Sequence, residues 1–113
     1  MSLTYNTTRL VQLESPSSGD TVIVDINSDD VLLLMTPSST LATLTLNFPD
    51  DNHSILGEHV EIWSSHEITS LTCQGNPLGS PTVPTILDAP NTILANGYVS
   101  FIRVGAGLWT GLQ

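Results

Sequence analysis

The sequence has no lysine. Its formal cations are Arg9 and Arg103, set against eleven carboxylates, for a net charge of −9. Nucleic-acid affinity rests on Lys and Arg at phosphates, and anionic lipid attracts the same groups, so DNA, RNA and acidic membranes are excluded as partners. There is one cysteine, Cys73, so the chain forms no internal disulfide. No basic residue flanks it in "ITSLTCQG" to favour a thiolate, so Cys73 is expected to pack rather than react. The longest apolar run, "VLLLM" at 31–35, is far too short to span a bilayer. The opening "MSLTYNTTRL" lacks the basic stretch and apolar core of a secretory signal, so synthesis in a cytosol without export is expected.

Helical patterning is missing as well. No window of a dozen residues carries a 3.6-residue apolar period free of Pro, Gly and β-branched runs. Charged residues make up only 12%, about half the usual share, and Ser, Thr, Asn, Gly and Pro take their place. Those residue types build strands and turns with a neutral, hydroxylated surface.

Period-two alternation runs through the chain instead. Strands are expected at "RLVQL" (9–13), "TVIVDI" (21–26), "VLLLM" (31–35), "LATLTLNF" (41–48), "EHVEIW" (58–63) and "EITSLTCQ" (67–74). "TILA", "YVSFIRV" and "LWTGLQ" close the series after 91. In 41–48, Ala42, Leu44, Leu46 and Phe48 are expected on one face and Thr43, Thr45 and Asn47 on the other. Residues 75–91 hold four prolines and two glycines and read as a long Pro-rich loop; residues 1–8 read as an N-terminal arm. Asn96-Gly97 between apolar runs signals a hairpin turn. Eight to nine short strands at this spacing imply one all-β domain over 1–113, an antiparallel β-sandwich or a jelly-roll-like barrel. A parallel β-helix is the weaker alternative, because no repeat of fixed length appears.

Catalytic and cofactor constellations find little support. His53, His59 and His66 lie among Glu58, Glu61 and Glu67, but their spacing fits no metal motif, so surface roles are expected and no metal or cofactor is implied. The doublets Asp29-Asp30 and Asp50-Asp51 sit where turns favour Asp. There is no Gly-x-Ser-x-Gly and no Gly-rich phosphate loop, so a non-enzymatic protein is expected. Sugar binding is the competing chemistry. Trp63 shares a strand face with His59 and Glu61, an aromatic platform beside polar groups, whereas packing accounts for most tryptophans.

Three segments in 41–111 carry a resemblance: "LATLTLNFP", "GEHVEIWSSHEITSLTCQGN" and "NTILANGYVSFIRVGAGLWTG". Their succession of a Thr-alternating strand ending in Pro, a Gly-acidic hairpin start, a Ser/Thr-rich strand and a closing Gly-Trp element resembles a β-structured virion module of tailed bacteriophages. The stretch "SPSSGDTVIVDINSDD" resembles the start of such a module. This resemblance implies a head-decoration, head-fibre or tail-fibre protein of β-sandwich or jelly-roll fold, often trimeric and without enzymatic activity. It implies the major capsid protein and further copies of the chain as partners, and the outer surface of the capsid as location. A small chain with its own Met and no coiled-coil or collagen-like stem suits a capsid decoration (cement) protein. A glycan-binding module of a tail fibre is the alternative.

Apolar residues on both faces of "VLLLM" and "YVSFIRV" exceed what one small sandwich buries, which marks association. Leu32, Leu34, Phe101, Arg103 and Trp109 are therefore the interface candidates. Arg103 lies in line with Val99 and Phe101 and is expected at the end of its strand, paired with a carboxylate, Glu61 first.

Overall fold

The computed structural model describes residues 9–25, 30–50, 54–75 and 83–112. The expected arm over 1–8, His53, Asp29, Asp51 and residues 76–82 of the Pro-rich loop lie outside them, and Thr85–Leu87 of that expected loop form a strand instead. The described residues form nine strands: β1 (Arg9–Glu14), β2 (Thr21–Ile23), β3 (Asp30–Met35), β4 (Leu41–Phe48), β5 (His59–Ser64), β6 (Ile68–Gly75), β7 (Thr85–Leu87), β8 (Gly97–Gly105) and β9 (Leu108–Leu112). They make two sheets, one of six strands in the order β1-β3-β5-β8-β9-β7 and one of three in the order β2-β4-β6. The all-β class, the sandwich-like pair of sheets and the strand number are those expected from the sequence.

The sense of pairing differs from the antiparallel expectation. Five of the seven ladders are parallel, and only β5–β8 and β8–β9 are antiparallel. From β1 to β6 the chain alternates between sheets, so odd strands stack on odd and even on even. Each strand pair is thus one coil of a short solenoid, with each coil bonding only to its neighbours. Turn residues mark where a strand ends but not whether the chain doubles back or crosses to the facing sheet, and here it crosses. The coils are unequal. Arg9 pairs with Asp30, 21 positions on, Val31 with Val60, 29 on, and Thr43 with Ser70, 27 on. That inequality hides the repeat from a search for a fixed period.

Backbone hydrogen bonds carry the stacking around the corners. Thr36 N–H donates to the Glu14 carbonyl, Ser65 N–H to Met35 and Leu41 N–H to Glu67, at 2.9, 3.0 and 2.9 Å. Gln12 ties the first coil across its open end. Its amide donates to the Ile23 carbonyl and accepts from the Asp25 N–H, both at 2.9 Å.

The core lies between the sheets. Val31, Leu33, Met35, Val60 and Ile62 enter from the larger sheet and Leu44, Leu46, Phe48, Ile68 and Leu71 from the smaller. Phe48 bridges the layers at one end, with ring centroids 4.6 Å from Phe101 and 5.5 Å from Trp109, both tilted. In β4, Leu41 is buried and Ala42 exposed, so the alternation starts one residue earlier than expected and slips at 42–43.

Asn96-Gly97 makes a turn, but not a hairpin. Gly97 N–H donates to the Leu94 carbonyl at 2.8 Å with Asn96 at φ 60°. A Cβ on Gly97 would lie 2.6 Å from that carbonyl oxygen, so only glycine fits. Before the turn, Ile93 bonds to Ile68 at the edge of the smaller sheet; after it, β8 lies beside β5 in the larger. The turn therefore moves the chain between sheets. The hairpin of this region is β8–β9, closed at Ala106-Gly107 with Gly107 at φ 64°.

Candidate functional site

The two outer faces differ in chemistry. On the three-stranded sheet, Thr21, Thr45 and Thr72 stand in register, as do Thr43 with Ser70 and Ile23 with Asn47 and Gln74. The Gln74 amide donates to the Asn47 carbonyl oxygen at 2.9 Å across the ladder. This face is neutral and hydroxylated.

The outer face of the six-stranded sheet is apolar. The inward positions of β3 and β5 are Val31, Leu33 and Met35, and Val60, Ile62 and Ser64. Period two then turns Leu32, Leu34, His59, Glu61 and Trp63 outward. Register extends these into rows. Leu13, Leu34, Trp63 and Tyr98 form one across β1, β3, β5 and β8. Val11, Leu32, Glu61, Ser100 and Leu112 form the next, and His59, Ile102, Thr110 and Leu87 a third. Leu13 is 73% exposed, Tyr98 57% and Val11 51%, high values for large apolar side chains in a row. Beside Tyr98 and Leu112 the face runs into an open groove of about 300 Å³, lined also by Pro90, Thr92, Ile93, Leu94, Gly97 and Val99.

The two sets of candidates named from the sequence divide differently here. Leu32 and Leu34 share the outer face with Trp63, His59 and Glu61, so the interface and sugar candidates occupy one surface. Phe101 and Trp109 leave it, since both are fully buried between the sheets. Trp109 donates its indole N–H to the Pro49 carbonyl at 3.1 Å, which satisfies the one polar atom of a core tryptophan. Val11, Leu13 and Leu112 were not singled out from the sequence. The apolar residues at both parities of "RLVQLE" are the signal that marks the first two.

Arg103 faces inward at the end of β8, beside Trp109 in the ladder. Its guanidinium donates to the Ser54 carbonyl at 3.0 Å, and the Ser54 hydroxyl donates to the Asp50 carbonyl at 2.6 Å. Its main chain pairs with the same loop: Arg103 N–H to the Glu58 carbonyl at 3.0 Å and Gly57 N–H to the Arg103 carbonyl at 2.8 Å. The register puts Glu61 opposite Ser100 on the outer face, away from the inward-facing Arg103, so Glu61 is not its partner. Arg103 thus fastens the β4–β5 loop over the end of the core.

Cys73 is half-buried against the core opposite Leu46, and burial pushes its thiol from 9.0 to about 12. His66 Nδ1 lies 2.9 Å from the Ser65 hydroxyl, and His59 is exposed on the outer face. Among the described residues, no three His, Cys, Asp or Glu side chains converge in a group able to hold a metal ion. No protein-family model, curated protein or solved structure matches the chain.

Proposed function

We propose that this chain is a structural protein of a tailed-bacteriophage virion, a capsid decoration or head-fibre protein that binds coat subunits and acts without catalysis. The observation that carries the reading is the apolar outer face of the six-stranded sheet. Large contiguous apolar patches on small proteins mark surfaces that meet other proteins. The resemblance of 41–111 to phage virion modules supplies the kind of assembly. The neutral, acid-rich remainder suits a particle surface, since it repels nucleic acid and keeps particles apart. Co-sedimentation with phage heads lacking the protein tests the proposal. Saturable pelleting at a fixed ratio to coat subunits is expected, and no pelleting at about 50 µM overturns it.

A second reading has its own observation. Trp63 and Tyr98 stand directly opposite each other on β5 and β8, with His59 and Glu61 on the same face. Two neighbouring aromatic rings beside polar groups make a platform for a sugar ring. A glycan array separates the readings: binding lost in Trp63→Ala favours the sugar platform, and an array without signal removes it.

A further inference from the structure

We infer that the outer face of the six-stranded sheet is where two copies of this chain pair, sheet against sheet about a twofold axis. The inference deepens the structural reading above by giving that face to a second copy, so that coat subunits meet the pair elsewhere, and it rests on that reading only for the premise that the face is covered.

Three properties of the face point to a second copy. The first is area. Six strands about 4.8 Å apart and up to about 20 Å long present roughly 500 Å² per copy. Two such faces together remove about 1,000 Å² from water, the lower bound for a specific interface between proteins. The face is therefore just large enough if all of it is used, as sheet-on-sheet packing does.

The second is charge. Two copies each of net charge −9 repel one another over most of their surface. The rows of this face hold two carboxylates, Glu61 and Asp30, and one imidazole, His59, among the described residues. Asp30 sits at the rim, where its carboxylate accepts the main-chain N–H of His59 at 2.9 Å. Like-charged copies meet at least cost where charge is sparse. A partner selected by basic groups has little here to recognise.

The third is shape. An apolar sheet face can pack against its own copy about a twofold axis, which is what an isologous contact requires. A threefold ring of the kind the phage resemblance implies needs two different surfaces on each copy. The opposite sheet presents threonine rows that remain well solvated.

Sedimentation velocity on the whole chain from about 1 to 200 µM tests the pairing, with a concentration-dependent dimer expected. Acrylamide quenching gives an independent readout. Trp109 is fully buried, so quenchable emission comes from Trp63, and its quenching falls as dimer forms. Leu34→Asp is expected to weaken the dimer at least tenfold. Leu13→Asp, at a 73% exposed position that tolerates charge, does the same and keeps the test open if Leu34→Asp fails to fold. Thr43→Asp on the opposite sheet is expected to leave the dimer within about twofold of wild type. A monomer at every concentration, a dimer that both face variants leave unchanged, or a trimer overturns the inference. Pelleting with phage heads is scored separately. A monomer that still pellets overturns the pairing and keeps the structural reading; a dimer that never pellets does the reverse.

Discussion

Arg103 is fixed by its surroundings more than by its strand. It reaches from β8 into the β4–β5 loop, where the Ser54 carbonyl accepts its hydrogen bond and the Glu58 carbonyl accepts its main-chain N–H. Arg103→Ala is expected to lower the unfolding free energy by about 2 kcal/mol in urea titrations, since it removes a charge-assisted hydrogen bond to the Ser54 carbonyl; an unchanged midpoint contradicts this role. Cys73 provides a pH test. Its thiol is raised from 9.0 to about 12 by burial, so between those values the folded chain keeps a proton that the unfolded chain releases. Its contribution is full below pH 9 and falls as pH rises through the window, by up to about 1.4 kcal/mol per pH unit. Between pH 9 and about 10.5, wild type is expected to lose about 1.6 kcal/mol more than Cys73→Ala, measured by urea unfolding at both values. Equal losses contradict this placement of the thiol.

At the level of elements, alternation located nearly every strand, and the two-layer all-β class followed from it. The β5 faces were readable because Val60 and Ile62 alternate with His59, Glu61 and Trp63, whereas "VLLLM" in β3 is apolar at every position and shows its period two only in burial. What alternation does not encode is the neighbour. Asn96-Gly97 has the composition of a hairpin turn, yet Ile93 before it belongs beside Ile68 and β8 after it beside β5. Local sequence specifies the turn geometry. The choice between reversing and crossing is made by which sheet offers an unpaired edge and a place in the core, and that is a tertiary decision. Trp109 shows the same limit. It was expected at an interface, while the space beside Phe48 and the Pro49 carbonyl draws it inside.

For the whole molecule, the candidate surface was half legible. Leu32 and Leu34, and Trp63 with His59 and Glu61, were visible as separate groups, because each lies on one strand. Their union into one face depends on the register of strands far apart in sequence, as in the row from Leu13 through Leu34 and Trp63 to Tyr98. Unequal coil lengths conceal that register from any reading along the chain. A last consequence follows from the half-buried arginine in the penultimate strand. Trypsin cuts only after Lys and Arg, so it has two bonds to attack in this chain, after Arg9 and after Arg103. The second lies in the interior of a sheet, with its main chain bonded to Gly57 and Glu58 on one side and Trp109 across the other. Release of the 104–113 peptide therefore waits for the sheet itself to open, so its appearance on a gel is expected to track global unfolding rather than fraying. A fold with so few trypsin sites, the inner one locked, is suited to resisting that protease while it stays folded.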